Sequence, residues 1–165
     1  MAARRQVLTH PTWPDRDGRP RVLVEARDGA LRDAVGDALG DGYVVVDCPG
    51  PADGQVCPAV AGDRCATAAH ADVVVCDVGA GDEHSRALPR AVARELREGA
   101  SVIVAVTRPV AERHPEAFAD CRVLLQPVHR AELRAAVAEA VDHLVDTPVH
   151  HVHGPRLAWS PPHLD

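Results

Sequence analysis

Ala71-Asp72-Val73-Val74-Val75-Cys76-Asp77 is the stretch on which the fold turns. A short run of branched apolar residues with no polar alternation is the pattern of a strand buried on both faces. Such burial requires helices on each side of a parallel sheet. Asp77 ends the run, in the place where open α/β sheets gather their working residues, just beyond the carboxyl ends of the strands.

Working outward, Val22-Leu23-Val24 reads as a first strand. Asp28 is placed to cap a helix with Leu31, Val35, Ala38 and Leu39 on its apolar face, and Gly40 and Gly42 stop it. Tyr43-Val44-Val45-Val46 follows as a second strand. Between Asp47 and His70, Gly and Pro stand where a crossover helix belongs, so at best a short helix is expected there. After Asp77 the spacing predicts a helix from about Ser85 to Glu98, with Leu88, Val92 and Leu96 on one face, Pro89 in its first turn and Gly99 at its end.

Val102-Ile103-Val104-Ala105-Val106 makes a fourth strand, a short helix is expected around Pro115 to Ala119, and Val123-Leu124-Leu125 makes a fifth strand before Pro127. The last helix is the clearest, because Leu133, Val137, Ala140, Val141 and Leu144 return at helical spacing. Alternating strands and helices joined by right-handed crossovers predict a three-layer α/β domain around a doubly wound parallel sheet of five strands. Residues 1–20 are expected to be a flexible lead-in, 21–145 the domain, and 146–165 a flexible tail rich in Pro and His.

A chain of 165 residues suits one such domain and buries roughly 70% of its unfolded surface. Almost half the residues are apolar, mostly Val, Ala and Leu, with very few aromatics. The net charge of −6 is spread along the chain, which argues against nucleic acid as a partner. All 18 basic residues are Arg, so chemistry that needs a lysine ammonium is excluded, including a P-loop or a Schiff base. No segment approaches the roughly 20 apolar residues that span a bilayer, and Met1 to Arg5 leads into no signal-like stretch, so a cytoplasmic protein with no membrane partner is expected.

The most individual segment is Cys48-Pro49-Gly50-Pro51 followed by Cys57 to Cys65. The spacing of Cys48, Cys57 and Cys65 is not that of structural zinc sites, so a redox pair between Cys57 and Cys65 is the more plausible reading, and it would stabilise the loop by about 2.5 kcal/mol on oxidation. Cys76 reads as inert core and Cys121 as partly exposed. His150, His151, His153 and His163, with His143 upstream, read as a disordered tail. His84 lies close enough in sequence to approach Asp77, although Asp82-Glu83-His84-Ser85 also reads as a helix start. No flavin, cobalamin or dinucleotide signature is present, and no cofactor, resident metal or enzymatic activity is expected.

From Arg21 to about Val145 the chain resembles the receiver domain of bacterial two-component response regulators, a flavodoxin-like fold of strand order 2-1-3-4-5. The resemblance rests on Val22-Leu23-Val24 followed by Ala30-Leu31-Arg32, on the strand ending at Asp77, and on Gln126-Pro127-Val128 leading into Ala131-Glu132-Leu133. It implies that Asp77 is the phosphoryl-acceptor position. The acidic pair that would hold magnesium falls on Ala26 and Arg27, the hydroxyl position on Val106, and the lysine position on Gln126, while Glu25 and Thr107 each stand one residue away. Arg27 is therefore expected to neutralise Asp77 in the space the metal would use.

The resulting expectation is a non-catalytic regulatory module, a pseudo-receiver that meets another protein, or a second copy of itself, through its last strand and helix. A thiol-based redox or metal sensor using Cys48, Cys57 and Cys65 is the alternative. An atypical receiver phosphorylated on Asp77 is a further one.

Overall fold

The computed structural model describes residues 11–14, 17–50, 56–79 and 81–146. Five strands, β1 (Arg21–Glu25), β2 (Val44–Cys48), β3 (Val73–Asp77), β4 (Ser101–Val106) and β5 (Arg122–Leu125), form one parallel sheet in the order β2-β1-β3-β4-β5. This is the predicted flavodoxin-like order. Helices α1 (Gly29–Leu39) and α6 (Arg130–Asp146) cover one face; α2 (Pro58–Ala61), α3 (Ala66–Ala69), α4 (Glu83–Ala93) and α5 (Arg108–Arg113) lie toward the other.

The two faces divide the strand residues by alternation. Val22, Val24, Val73, Val75 and Ile103 pack with Val35, Leu39, Leu133 and Val137. Leu23, Val46, Val74, Cys76, Val102 and Val104 pack with Ala59, Ala68, Val92 and Phe118. The central strands thus have no polar face, which is why their sequence shows none.

Local chemistry sets the helix starts. The Asp28 carboxylate accepts the Ala30 N–H at 2.9 Å, and that of Asp82 accepts the Ser85 N–H at 2.9 Å. The helix expected from Ser85 to Glu98 instead spans Glu83–Ala93, with Pro89 buried in its middle rather than in its first turn. It stops early because the next residues serve other contacts. The Glu95 carboxylate accepts the Cys65 N–H at 3.3 Å, and Arg97 pairs with the buried Asp72, whose other oxygen accepts the Arg21 N–H at 2.8 Å.

Two further stretches differ from expectation. The segment after β2 folds into the two single-turn helices α2 and α3, and the region around Pro115 is a 3₁₀ turn, Pro115–Phe118, preceded by the unforeseen α5. Within the expected lead-in, the Trp13 indole N–H donates to Thr67 O at 2.9 Å and the Thr67 hydroxyl donates to Pro11 O at 2.7 Å. The Arg21 guanidinium lies 5.5 Å from the centre of the Trp13 ring. Residues 147–165, with the tail histidines His150, His151, His153 and His163, lie outside the described residues.

Leu23 and Ile103 are the largest wholly buried side chains, one on each face. Leu23→Ala should cost about 2–5 kcal/mol and Ile103→Val about 0.5–1.5 kcal/mol in urea unfolding, with an unchanged m-value in both variants.

Candidate functional site at the carboxyl edge of the sheet

Asp77 ends β3 and is half-buried. Its Oδ1 accepts two hydrogen bonds, from the Gly79 N–H at 2.9 Å and from Gln126 Nε2 at 2.9 Å. The first is a tight turn of the kind aspartate forms with a residue two positions on. The second depends on the sheet: the Gln126 N–H donates to Val106 O at 2.9 Å, which holds the start of the β5 loop beside the end of β4 and brings the amide across to β3. A Cβ at Gly79 would stand 3.1 Å from Asp77 Oδ1 and 3.3 Å from Gln126 Oε1, so the glycine is what lets this turn close on the carboxylate.

Arg27 lines a cavity in common with Asp77 but is not paired with its carboxylate. It is exposed and makes no ion pair with Asp77 among the described residues; its charge instead helps hold the Asp82 carboxyl below its ordinary value, after the hydrogen bonds from Ser85. The reason is positional. β1 ends at Glu25, Ala26 donates its N–H to Cys48 O, and the Ala26 and Arg27 carbonyls accept from the Arg32 guanidinium, at 2.5 and 3.1 Å, so the loop leaves the sheet before Arg27. Thr107 stands at the N-cap of α5 without a side-chain capping bond and does not line the Asp77 cavity.

Glu25 is the residue whose setting the sequence left unforeseen. Alternation along β1 turns it to the Leu23 face, in register with Cys48 on β2 and Cys76 on β3, and it is only 4% exposed. No described group hydrogen-bonds its carboxyl. Burial alone pushes its pKa up from 4.5 to about 7.

Glu25 and Asp77 share the lining of a cavity of about 170 Å³ at this edge, together with Arg27, Asp28, Gly79, Asp82, His84 and Ser85. The Nε2 of His84 is buried with no hydrogen-bond partner. His84, foreseen only as a neighbour of Asp77, thus belongs to the same cavity. A larger, mainly apolar cavity of about 340 Å³ lies beneath α1 and α6, where Ala34, Ala38 and Ala105 leave space between larger side chains.

The five cysteines are free thiols. Cys57 and Cys65 are buried in the core of the Leu23 face, and the Cys65 Sγ accepts the Ala68 N–H at 3.5 Å. Cys57 and Cys65 thus stand as separate thiols, the bridge being expected only on oxidation. Burial pushes every thiol up: Cys48 to about 11, with the Glu25 carboxylate adding to it, Cys57, Cys65 and Cys121 by smaller amounts, and Cys76 well above the ordinary range. Among the described residues no group of three or more His, Cys, Asp or Glu side chains is arranged to hold a metal ion.

No family model matches the sequence, and no curated protein matches it. Solved structures do. A response regulator receiver domain from Clostridium thermocellum superposes with a TM-score of 0.57 at 17% identity, over 74% of this chain and 94% of that one. The chemotaxis protein CheY4 of Vibrio cholerae gives 0.54 at 21% identity, over 74% and 98%. An adenylate cyclase from Rhodopirellula baltica gives 0.57 at 16% identity, over 76% and 90%. At these identities the likeness is one of fold. The architecture is that of receiver domains, and no helix among the described residues is long and apolar enough to cross a membrane.

The buried carboxyl gives a pH signature. A folded-state pKa raised above the unfolded one means that the native state holds its proton longer, so Glu25's contribution to stability is fully present below about pH 4.5 and is lost as pH rises through about 7. Glu25→Gln should remove this dependence and raise stability at about pH 8 by up to about 3 kcal/mol, as read from urea midpoints across the pH range.

Proposed function

We propose that this chain is a non-catalytic regulatory module built on the receiver fold, in which the Asp77 pocket does not accept phosphoryl groups. The observation that carries the reading is the neutral amide of Gln126 bonded to Asp77 Oδ1, where the resemblance calls for a lysine ammonium. Phosphoryl transfer needs positive charge placed against the transferred oxygens. A glutamine supplies a donor and no charge.

The magnesium implied by the resemblance fits these residues poorly. The positions of its acidic pair carry the buried Ala26 and the exposed Arg27, and no described cluster of metal ligands forms around Asp77. Glu25 lines the same cavity as Asp77, but the two belong to no described cluster of metal ligands. Asp77 on this reading is a fixed link between β3 and the β5 loop.

Output then passes through contact with another protein, or a second copy, at β5 and α6. The edge strand β5 supports this, because Val123 stands 37% exposed there beside the ion pair of Arg122 with Glu139. Incubation with acetyl phosphate and Mg²⁺, followed by intact-mass measurement, should give no adduct. A stoichiometric, hydroxylamine-sensitive phosphoryl group that disappears in Asp77→Asn would reverse the reading and make the chain an atypical receiver.

The thiol-sensor alternative is disfavoured by burial, because reactive thiols need a depressed pKa and access to solvent. Cys57, Cys65 and Cys76 should react with a disulfide reagent at least about 100-fold more slowly in the native chain than in urea. Rapid peroxide-driven formation of a Cys57 to Cys65 disulfide in the folded chain would restore the sensor.

A further inference from the structure

Two carboxyls line the Asp77 cavity with bonding capacity to spare. That of Glu25, only 4% exposed, has no described hydrogen bond, and that of Asp77 takes its two described side-chain hydrogen bonds on Oδ1 alone. A buried polar group left unsatisfied forgoes its hydrogen bond without regaining water, so a ligand that satisfies these groups gains what the empty fold forgoes. Asp28 and Asp82 also line the cavity, but their carboxylates already cap α1 and α4.

The balance of charge points to a cation. Around about 170 Å³ stand the carboxylates of Asp77, Asp28 and Asp82 with the titratable Glu25, against the single guanidinium of Arg27. The spread of the acceptors argues against a metal, which needs its ligands converged on one point within about 2.0–2.6 Å, and no described cluster does this. A planar or tetrahedral nitrogen cation carries several N–H donors pointing in different directions, and so can reach separated acceptors at once.

We propose that the cavity beside Asp77 binds a small organic cation bearing several N–H donors, a guanidinium or primary ammonium compound, which bridges Glu25 and Asp77. This rests on the reading of Asp77 as unphosphorylated, because a phosphoryl group would fill the same space. It makes the module a ligand-responsive one: the bound cation ties β1 to β3 at the edge from which the loops leave.

The test is a titration of the full chain with methylguanidinium at about pH 8, where Glu25 is ionised, followed by amide NMR shifts. Saturable shifts of the Gly79 and Ser85 amides are expected, with tetramethylammonium, of equal charge but without N–H donors, producing none. Glu25→Gln and Asp77→Asn, each verified as folded by circular dichroism, should each weaken binding about tenfold or more. The proposal is overturned by an absence of saturable shifts, by equal binding of tetramethylammonium, by unchanged affinity in both variants, or by Mg²⁺ displacing methylguanidinium at lower concentration. Phosphoryl uptake would register as a covalent mass increase from acetyl phosphate, so failure of the phosphorylation reading and failure of the cation site are read separately.

Discussion

A parallel sheet exposes no face to water, and that constraint governs the rest of this molecule. β1, β3 and β4 are apolar on both sides because α1 and α6 close one face while α2, α3 and α4 close the other. With almost no aromatic residues to fill space, both layers are built from Val, Ala and Leu, and among the described residues Phe118 is the only aromatic side chain in either buried core. The same constraint sends every strand out at one edge, so the loops that follow β1, β2 and β3 line the cavity beside Asp77. Polar chemistry in this fold has nowhere else to collect.

Glu25 shows what happens when a carboxyl is placed one residue inside that edge. The neighbouring Ala26 falls on the α1 and α6 side, packed in its core, while Glu25 falls on the Leu23 face among Cys48, Cys57 and Cys76. At that depth an ionised carboxylate has lost its water without gaining a partner, which is the physical origin of its raised pKa. A valine or isoleucine would pack more stably there. The stability forgone is accounted for, on the proposed reading, by what the carboxyl can bind in the adjoining cavity.

The fold was legible in the sequence because its strands are read from runs of Val that no helix or half-exposed strand would carry. Asp77 at a strand end and the Asp28 cap followed from local pattern, and the sheet order from the resemblance to receiver domains. What stayed hidden depends on contacts distant in sequence. Helix α4 stops at Ala93 because Glu95 and Arg97 are engaged by Cys65 and Asp72, and no periodicity records that. Arg27 was expected against Asp77 because residue type and approximate place were right, but the hydrogen bonds from Ala26 and Arg32 carry the loop away from the sheet. Burial of Cys57 and Cys65 was equally invisible, since the Gly and Pro around them left at best a short helix in view, whereas α2 and α3 pack the segment into the core.

Gln126 separates two roles that a lysine would combine. A lysine at that position would both link β5 to the end of β3 and supply a charge to stabilise negative oxygen. The amide retains the link, since Nε2 bonds Asp77 Oδ1 while the backbone of the same residue is tied to Val106. It cannot supply the charge. A donor that is neutral at every pH holds β3 and the β5 loop together whether or not a phosphoryl donor is present, so on the proposed reading this part of the site is a constant brace. On the same reading, variation in state enters at the Glu25 side of the cavity, where the carboxyl retains unused hydrogen-bonding capacity, and leaves through the edge strand β5, to which the brace is directly joined.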